Sequence, residues 1–143
     1  MTAPRLDDQL CFALYSASRA VTAAYRPLLA ELNLTYPQYL VLLVLWEEDR
    51  ASVGRLCQRL HLDSGTLSPL LKRLEAVGYV TRERAADDER RVDVVLTPTG
   101  KRLQTKASCI PERLLAVSDM SLDEIAALRD AVLRLSDTLL TNQ

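Results

Sequence analysis

The sequence predicts a mainly α-helical domain with a small β-hairpin wing, the architecture of a winged helix-turn-helix. Two helical segments, residues 52–60 and 64–77, are separated by a short polar break, and the second stops at Gly78. Two extended runs, residues 79–84 and 90–96, follow and are joined by an acidic, turn-rich stretch. A helix, a turn, a helix and a hairpin with arginines on both arms are typical of DNA-binding domains. The predicted function class is therefore nucleic-acid recognition.

The composition is that of a globular protein. The chain has 143 residues, of which 48% are hydrophobic and 26% are charged, so it is long enough for one domain with a hydrophobic core. No apolar run reaches the ~18 residues of a membrane span. Acidic residues near the N-terminus stand where a signal peptide needs an apolar segment. We therefore expect a cytoplasmic protein that does not contact a membrane.

The net charge of −1 weakly disfavours a nucleic-acid binder, but the distribution of charge matters more than its sum. Many of the basic residues fall in one stretch, namely Lys72, Arg73, Arg82, Arg84, Arg90, Arg91, Lys101 and Arg102. A local basic face on a neutral body is sufficient to neutralise DNA phosphates. The alternative interpretation is a solvated face of mixed charge.

The cysteines and the histidine indicate neither a structural disulfide framework nor a metal site. Cys11, Cys57 and Cys109 are far apart and odd in number. One histidine and no close pair of cysteines disfavour structural zinc. We expect no metal and no cofactor.

Helical patterns flank the predicted DNA-binding motif. Residues 6–24 carry apolar side chains at three- and four-residue spacing, which predicts a helix with one apolar stripe. The segment 36–48 is apolar on nearly all sides, and Thr35 and Gln38 match a capping box at its start. This segment is therefore the predicted centre of the core.

The C-terminal third is predicted to be helical as well. Thr97 and Pro98 match the N-cap and first position of a helix that Pro111 kinks or interrupts. A second capping box, from Ser121 to Glu124, precedes a helix with an apolar seam at heptad-like spacing: Ile125, Leu128, Val132, Leu135 and Leu139.

A helix with such a seam needs a partner, and the first helix has a matching stripe. We therefore expect a single domain of residues 1–143, with segments 1–34 and 101–143 forming a homodimer around a DNA-binding core of residues 35–100. The alternative is that both segments pack only within their own chain. A dimer would bind two half-sites about one helical turn apart, which predicts a pseudo-palindromic operator in double-stranded DNA.

The second helix of the motif and the wing supply the candidate DNA contacts. Asp63 or Ser64 is the predicted cap of this helix, and its inward stripe consists of Leu67, Leu70, Leu71 and Leu74. The predicted contacts on its outer surface are Ser64, Thr66, Ser68, Lys72 and Arg73. In the wing, Arg90 is predicted to enter a minor groove and Asp88 to orient an arginine. The predicted phosphate contacts of the wing are Arg82, Arg84 and Arg91.

Residues 88–100 resemble the wing signature of the MarR family of repressors, and the resemblance covers essentially the whole chain. Further motifs, in order and at matching spacing, resemble the organic-hydroperoxide sensor subgroup of that family. They lie at residues 10–19, 25–29, 34–40, 44–48 and 62–67.

The resemblance implies a repressor with a redox sensor. Cys11 matches the peroxide-reacting cysteine, and Tyr25 and Tyr36 match tyrosines of the other subunit that hydrogen-bond it. Hydroxyl donors favour a thiolate, and a thiolate attacks a peroxide to give a sulfenic acid. The resolving cysteine of two-cysteine members falls at Ala116 here, which departs from the pattern. Cys109, two helical turns earlier, is the candidate resolving thiol, and the alternative is a small-molecule thiol.

The predicted function is thus a dimeric repressor, not an enzyme, which releases its operator when an organic hydroperoxide oxidises Cys11 and so derepresses peroxide-resistance genes. Cys57 is predicted to serve packing alone. Three alternatives remain: a repressor that responds to a noncovalent phenolic or other small ligand, a thiol peroxidase that uses Cys11, and an architectural winged helix without sequence specificity.

Overall fold

The computed structural model describes residues 3–142. Over this range a 3-10 turn, Leu6–Asp8, precedes seven α-helices and three β-strands. The helices are α1 (Leu10–Ala30), α2 (Tyr36–Glu48), α3 (Val53–Leu60), α4 (Ser64–Ala76), α5 (Pro98–Ala107), α6 (Ile110–Ser118) and α7 (Leu122–Thr141). The strands are β1 (Arg50–Ser52), β2 (Val80–Arg84) and β3 (Val92–Leu96). Met1, Thr2 and Gln143, which belong to the predicted dimerisation segments, lie outside the described residues.

The predicted mainly helical fold with a β wing is confirmed. The chain divides into two compact units with their boundary between Ser108 and Cys109. The first unit contains α1 to α5 and the sheet, and the second contains α6 and α7. In the part of the chain that the structure describes, no helix is both long and apolar enough to cross a membrane.

Helix α2 is the centre of the first unit's core, as its apolar sequence predicts. The predicted capping box is present, with the backbone N–H of Thr35 donating to the side-chain oxygen of Gln38 over 2.9 Å. Val41, Leu42 and Leu45 are fully buried. Because α2 contacts α1, α3, α4, α5 and two of the strands, it is the element on which the DNA-binding motif is built.

Helices α3 and α4 form the helix-turn-helix, and local caps fix where each begins. The Ser52 hydroxyl accepts the backbone N–H of Arg55 over 3.0 Å, so Ser52 is the N-cap of α3 rather than its first residue. The Asp63 carboxylate accepts the N–H of Thr66 over 2.7 Å and caps α4. Of the two predicted caps, Asp63 is therefore the one that the structure uses.

Three of the four predicted inward leucines of α4 are buried: Leu67, Leu71 and Leu74. Leu70 is only half-buried because it lies to one side of the stripe that these three form. After α4 the chain reverses at Gly78, whose φ of 85° lies in the left-handed region that glycine adopts without steric cost.

The wing is part of a three-stranded antiparallel sheet with the order β1-β3-β2. The sequence predicted the hairpin of β2 and β3 but not β1. Arg50–Ser52 is too short to show an alternating pattern, and it is ordered as a strand by pairing with β3, Ala51 opposite Val94. The sheet thereby joins the end of α2 to the base of the wing.

Helix α1 differs from its predicted bounds. It begins at Leu10 and continues to Ala30, six residues beyond the predicted apolar stripe, with Pro27 inside it. The predicted interruption near Pro111 is observed, because α5 ends at Ala107 and α6 begins at Ile110 with this proline in its first turn. The capping box at the start of α7 is also confirmed.

Candidate functional site

The exposed side of α4 carries the residues that the sequence proposed for the major groove. Ser64, Ser68 and Lys72 follow one another at four-residue spacing and therefore lie along one face of the helix. Thr66 and Arg73 are exposed as well, and Ser68 is half-buried. The N–H of Thr66 holds the pKa of the capping Asp63 carboxyl below its usual value, so this carboxyl stays ionised at neutral pH.

The wing turn is closed by main-chain hydrogen bonds. The N–H of Ala85 donates to the carbonyl of Arg91 over 2.9 Å, and the N–H of Arg91 donates to the carbonyl of Asp88 over 3.0 Å. The Asp88 carboxylate accepts the backbone N–H of Arg90 over 2.9 Å. Asp88 therefore orients Arg90, as the sequence suggested, but through the main chain and not through the guanidinium.

The other three arginines proposed as phosphate contacts have partners within the protein. Arg84 donates to the carbonyl of Glu89 over 3.0 Å, and Arg82 pairs with Glu75 of α4 over 3.1 Å. The Arg82 guanidinium is the principal reason why the pKa of Glu75 lies below its usual value. Arg91 contacts carboxylates at the turn and in β3. The Arg82 pair connects the end of α4 to the first strand of the wing.

The orientation of α3 is set by an ion-pair group that the sequence analysis did not identify. Arg59 pairs with Glu47 over 2.7 Å and with Glu48 over 3.2 Å, and Arg55 also reaches Glu48 over 3.2 Å. Hydrogen bonds from the two arginines hold the pKa of Glu48 below its usual value, against the opposing effect of its desolvation. Single exposed pairs contribute little to stability. The group nevertheless attaches the first helix of the motif to the end of α2 at several points.

A cluster of four aromatic rings connects α1 to α2. The rings of Tyr25 and Tyr36, both proposed from the sequence, lie 4.8 Å apart between centroids. Tyr39 lies 5.8 Å from Tyr25 and 6.2 Å from Tyr36, and Trp46 lies 6.2 Å from Tyr39. Sequence reasoning missed Tyr39 because it stands in an apolar run that predicts core packing. Burial, followed by the neighbouring Tyr36 and Tyr39, raises the pKa of Tyr25 to about 12.

The aromatic cluster is connected to the base of the wing. The indole N–H of Trp46 donates to the carbonyl of Gly100 over 3.0 Å. Gly100 packs so closely on Tyr79 that a Cβ there would overlap the Tyr79 carbonyl oxygen. The Tyr79 hydroxyl in turn donates to the carbonyl of Leu32 over 2.6 Å. These contacts join the turn between α1 and α2 to the chain segment that enters the wing.

The proposed peroxide-reacting residue, Cys11, is exposed near the start of α1. It precedes Tyr25 by fourteen residues on the same helix, which corresponds to about 21 Å along the axis at 1.5 Å per residue. Within one chain the structure therefore brings Tyr25 and Tyr36 together but does not bring Cys11 to them.

The two other cysteines are half-buried. Cys57 lies in α3, and Cys109 is the N-cap residue of α6, in the second unit. Ala116, where the resemblance expects the resolving cysteine, is on α6 and exposed. Cys109 is in helical conformation and its carbonyl accepts the N–H of Arg113 over 3.1 Å, which is consistent with the predicted spacing of two turns.

Known proteins resemble this chain in sequence and in fold. A family described as "Transcriptional regulator SarA/Rot" matches residues 23–106. The regulator TtmR of Methylorubrum extorquens is 54% identical over 94% of this chain and 69% of its own length. The organic hydroperoxide resistance transcriptional regulator of Bacillus subtilis is 47% identical over 94% of this chain and 92% of its own.

The solved structures point the same way. Reduced AbfR bound to DNA is 36% identical, covers 95% of both chains and superposes with a TM-score of 0.80. AbfR, which comes from Staphylococcus epidermidis, has also been solved in a disulfide-formed state, with 37% identity, 92% coverage of both chains and a TM-score of 0.65. With the winged helix-turn-helix on the page and relatives of this identity over nearly its full length, the chain belongs to the MarR/SarA family of DNA-binding transcriptional regulators.

Proposed function

We propose that this regulator is a homodimeric repressor that senses organic hydroperoxides through Cys11 and releases its operator on oxidation. The observation that carries the proposal is the geometry of the sensor residues. Tyr25 and Tyr36 are paired in one place, whereas Cys11 lies about 21 Å from Tyr25 along α1. A second subunit can supply the cysteine that the tyrosines of one chain lack.

The exposed apolar surface supports a dimer. Helix α7 has no buried residue, and Leu128, Leu133 and Leu139 are each at least half exposed. Near the other end of the chain Leu10 and Phe12 of α1 are exposed too. Contiguous apolar faces of this kind are characteristic of protein interfaces. A second copy, with its own equivalent faces, is the occupant that we propose.

The chemistry follows from the residue types. The Cys11 thiolate attacks the outer oxygen of the hydroperoxide, the O–O bond breaks, and the alkoxide takes a proton to leave as the alcohol, with Cys11 as sulfenic acid. Because Tyr25 has its pKa raised to about 12, its hydroxyl remains a protonated donor throughout the physiological pH range. The sulfenic acid then condenses with a thiol, either Cys109 or a small molecule, with loss of water.

Release of DNA requires only a change in the dimer. Two recognition helices bind an operator when their spacing matches one turn of DNA. A disulfide that shifts α1 at the dimer interface alters this spacing. A hundredfold loss of affinity needs about 3 kcal/mol of difference between the two states. The Bacillus subtilis relative is named for organic hydroperoxide resistance, and AbfR has been solved on DNA when reduced and in a disulfide-formed state.

The test is fluorescence anisotropy on DNA from upstream of the regulator's own gene, titrated with cumene hydroperoxide and then with dithiothreitol. Wild type should lose about a hundredfold in affinity and recover when reduced. Cys11→Ser should bind equally well and ignore the peroxide, and Cys57→Ser is the matched control that should behave as wild type. Release of Cys11→Ser by peroxide would contradict the proposal.

Cys109→Ser identifies the resolving thiol. If Cys109 resolves the sulfenic acid, this variant forms no intersubunit disulfide on a nonreducing gel, and its release depends on added small thiol. If disulfide formation between subunits persists without Cys109, Cys109 is not the resolving residue.

A second candidate function is a response to a noncovalent phenolic ligand. A groove of about 610 Å³ along α1 favours it, since Phe12, Tyr15, Arg19 and Arg26 line the groove with rings and guanidinium groups suited to an aromatic anion. Release of both wild type and Cys11→Ser by such a ligand, with no recovery on reduction, would select this candidate instead.

A further inference from the structure

The face of the sheet beneath the wing holds a group of five charged side chains, which we call the wing-base cluster: Arg50, Glu83, Asp87, Arg91 and Asp93. Asp93 is its centre and lies on the middle strand, β3, with only 8% of its side chain exposed. Glu83 of β2 is its direct cross-strand neighbour, so both carboxylates point to the same face. Two like charges in this position repel each other unless cations are placed between or beside them.

Two arginines provide the compensation. Arg50 of β1 forms an ion pair with Glu83 and approaches Asp93 to 3.9 Å, from Nε to Oδ2. Arg91 places its Nε 3.2 Å from Oδ1 of Asp93 and its terminal nitrogen 3.0 Å from Asp87, which stands in the turn of the wing. The wing-base cluster therefore joins all three strands to the turn through one buried carboxylate.

The arrangement divides the work of two adjacent arginines. The guanidinium of Arg91 is directed at Asp93 and Asp87, so its charge is offset inside the protein. Arg90 is fixed only through its backbone N–H, on Asp88, and its side chain is exposed. Of the two, Arg90 is the residue placed to contact DNA.

We propose that Arg91 and Asp93 are positioning residues for the wing: they hold the turn at a fixed angle to the sheet so that Arg90 is presented to the DNA. The inference deepens the DNA-binding part of the proposed function and is independent of peroxide sensing. Buried ion pairs are costly to break when one partner is removed, because the other charge is left uncompensated. The exposed contact between Arg91 and Asp87 is screened by solvent, so the contact at Asp93 carries most of the effect.

The first test uses the sign of the change in affinity. Removing an acid close to DNA normally strengthens binding through simple electrostatics. Asp93→Asn should instead weaken binding to a duplex that wild type has selected from a random-sequence pool, by about tenfold, while binding to a random duplex stays equal or becomes stronger. Glu89→Gln is the matched control, because its carboxylate also lies at the wing but outside the wing-base cluster. It should change binding to both duplexes in the same direction.

The second test separates positioning from damage to the fold. Arg90→Gln should weaken operator binding roughly 10- to 100-fold. If Asp93 acts through Arg90, Asp93→Asn should add less than about twofold in the Arg90→Gln background. A variant that only destabilises the domain would lose the same factor in both backgrounds, and that result would overturn the proposal.

The third test covers the case in which Asp93→Asn does not fold, and it uses the exposed Arg91. Each phosphate contact contributes about 0.9 to the slope of log K against log salt. Arg91→Gln should weaken operator binding with the slope unchanged, whereas Arg90→Gln should lower the slope by about one. A slope lowered by Arg91→Gln would make Arg91 a phosphate ligand and overturn the inference. A normal affinity and slope for Arg90→Gln would overturn both the inference and the proposed wing contact.

Discussion

The core around α2 and the surface of α7 bury their apolar residues to very different degrees. In the first, Leu42, Leu45, Leu56 and Leu67 are completely inaccessible to solvent within a single chain. In the second, a helix of 20 residues has none that is buried, although leucines recur along its length. The comparison indicates that the DNA-binding motif is stabilised within each chain, whereas α7 has an apolar face to be covered by a partner.

This difference has a functional consequence. If assembly and the fold of the DNA-binding motif depend on different surfaces, a signal can alter the spacing of two intact motifs without unfolding either. Four predictions test how far that separation holds, beginning with the largest effect.

Truncation of the core should have the largest effect. Leu45 is fully buried in α2, so Leu45→Ala should lower the free energy of unfolding by ~2–5 kcal/mol through lost burial and the cavity left behind. Urea denaturation followed by circular dichroism measures it. The matched control is Leu128→Ala on α7, where the side chain is 53% exposed. A loss as large for Leu128→Ala, at concentrations where both proteins are dimeric, would show that α7 belongs to the same cooperative unit.

A smaller but still substantial effect is expected where the wing joins the core. Gly100→Ala would place a Cβ against the carbonyl oxygen of Tyr79, a backbone atom that moves only if β2 moves. Overpacking of this kind costs about 1–3 kcal/mol, and it should also weaken DNA binding because the wing would shift. Gly54→Ala in α3 is the matched control, since the nearest atom to its added Cβ would be 3.9 Å away. Equal melting temperatures for the two variants would contradict this account of the wing base.

Local features of this kind divide what the sequence predicts from what it does not. The capping boxes at Thr35 and Ser121 and the stop at Gly78 were predicted because each depends on residues within one turn of the chain. Strand β1 was missed because its order comes from pairing with β3, more than forty residues later. The position of Asp93 was not informative in sequence for the same reason: its partners come from three separate segments.

The site shows the same division. Sequence similarity named Tyr25 and Tyr36, but the ring of Tyr39 beside them and the hydrogen bond from Trp46 to Gly100 needed the fold. An apolar run predicts burial without indicating which of its aromatic members lie next to a functional group.

Polar substitution of α7 should separate assembly from folding. Leu128→Gln combined with Leu139→Gln removes two exposed apolar side chains from the proposed interface. The dimer dissociation constant should rise by roughly 10- to 100-fold, measured by sedimentation equilibrium. The circular dichroism spectrum of the first unit should be retained. Arg134→Gln, an exposed polar residue on the same helix, is the control. An unchanged dissociation constant in the double variant would exclude this face of α7 from the interface.

The smallest expected effect lies in the tyrosine cluster, at the junction of the two regions' functions, and it depends on pH. Folding raises the pKa of Tyr25 to about 12, against about 10 in an unfolded chain. Folding therefore favours the neutral phenol, and its contribution to stability is fully present below about pH 10 and is lost as the pH rises through about 12. Tyrosinate absorbance during an alkaline titration should contain a component with a midpoint of about 12 that Tyr25→Phe removes.

Tyr36→Phe provides the matched comparison, because Tyr36 is one of the neighbours that raise the pKa of Tyr25. This variant should move the Tyr25 component to lower pH without removing it. If Tyr25→Phe leaves the late component in place, Tyr25 is not held in this environment, and the argument that it remains a protonated donor for a partner's thiolate fails with it. If the component disappears as expected, one ring cluster both contributes to the folded core and keeps a hydroxyl donor in reserve for the second subunit.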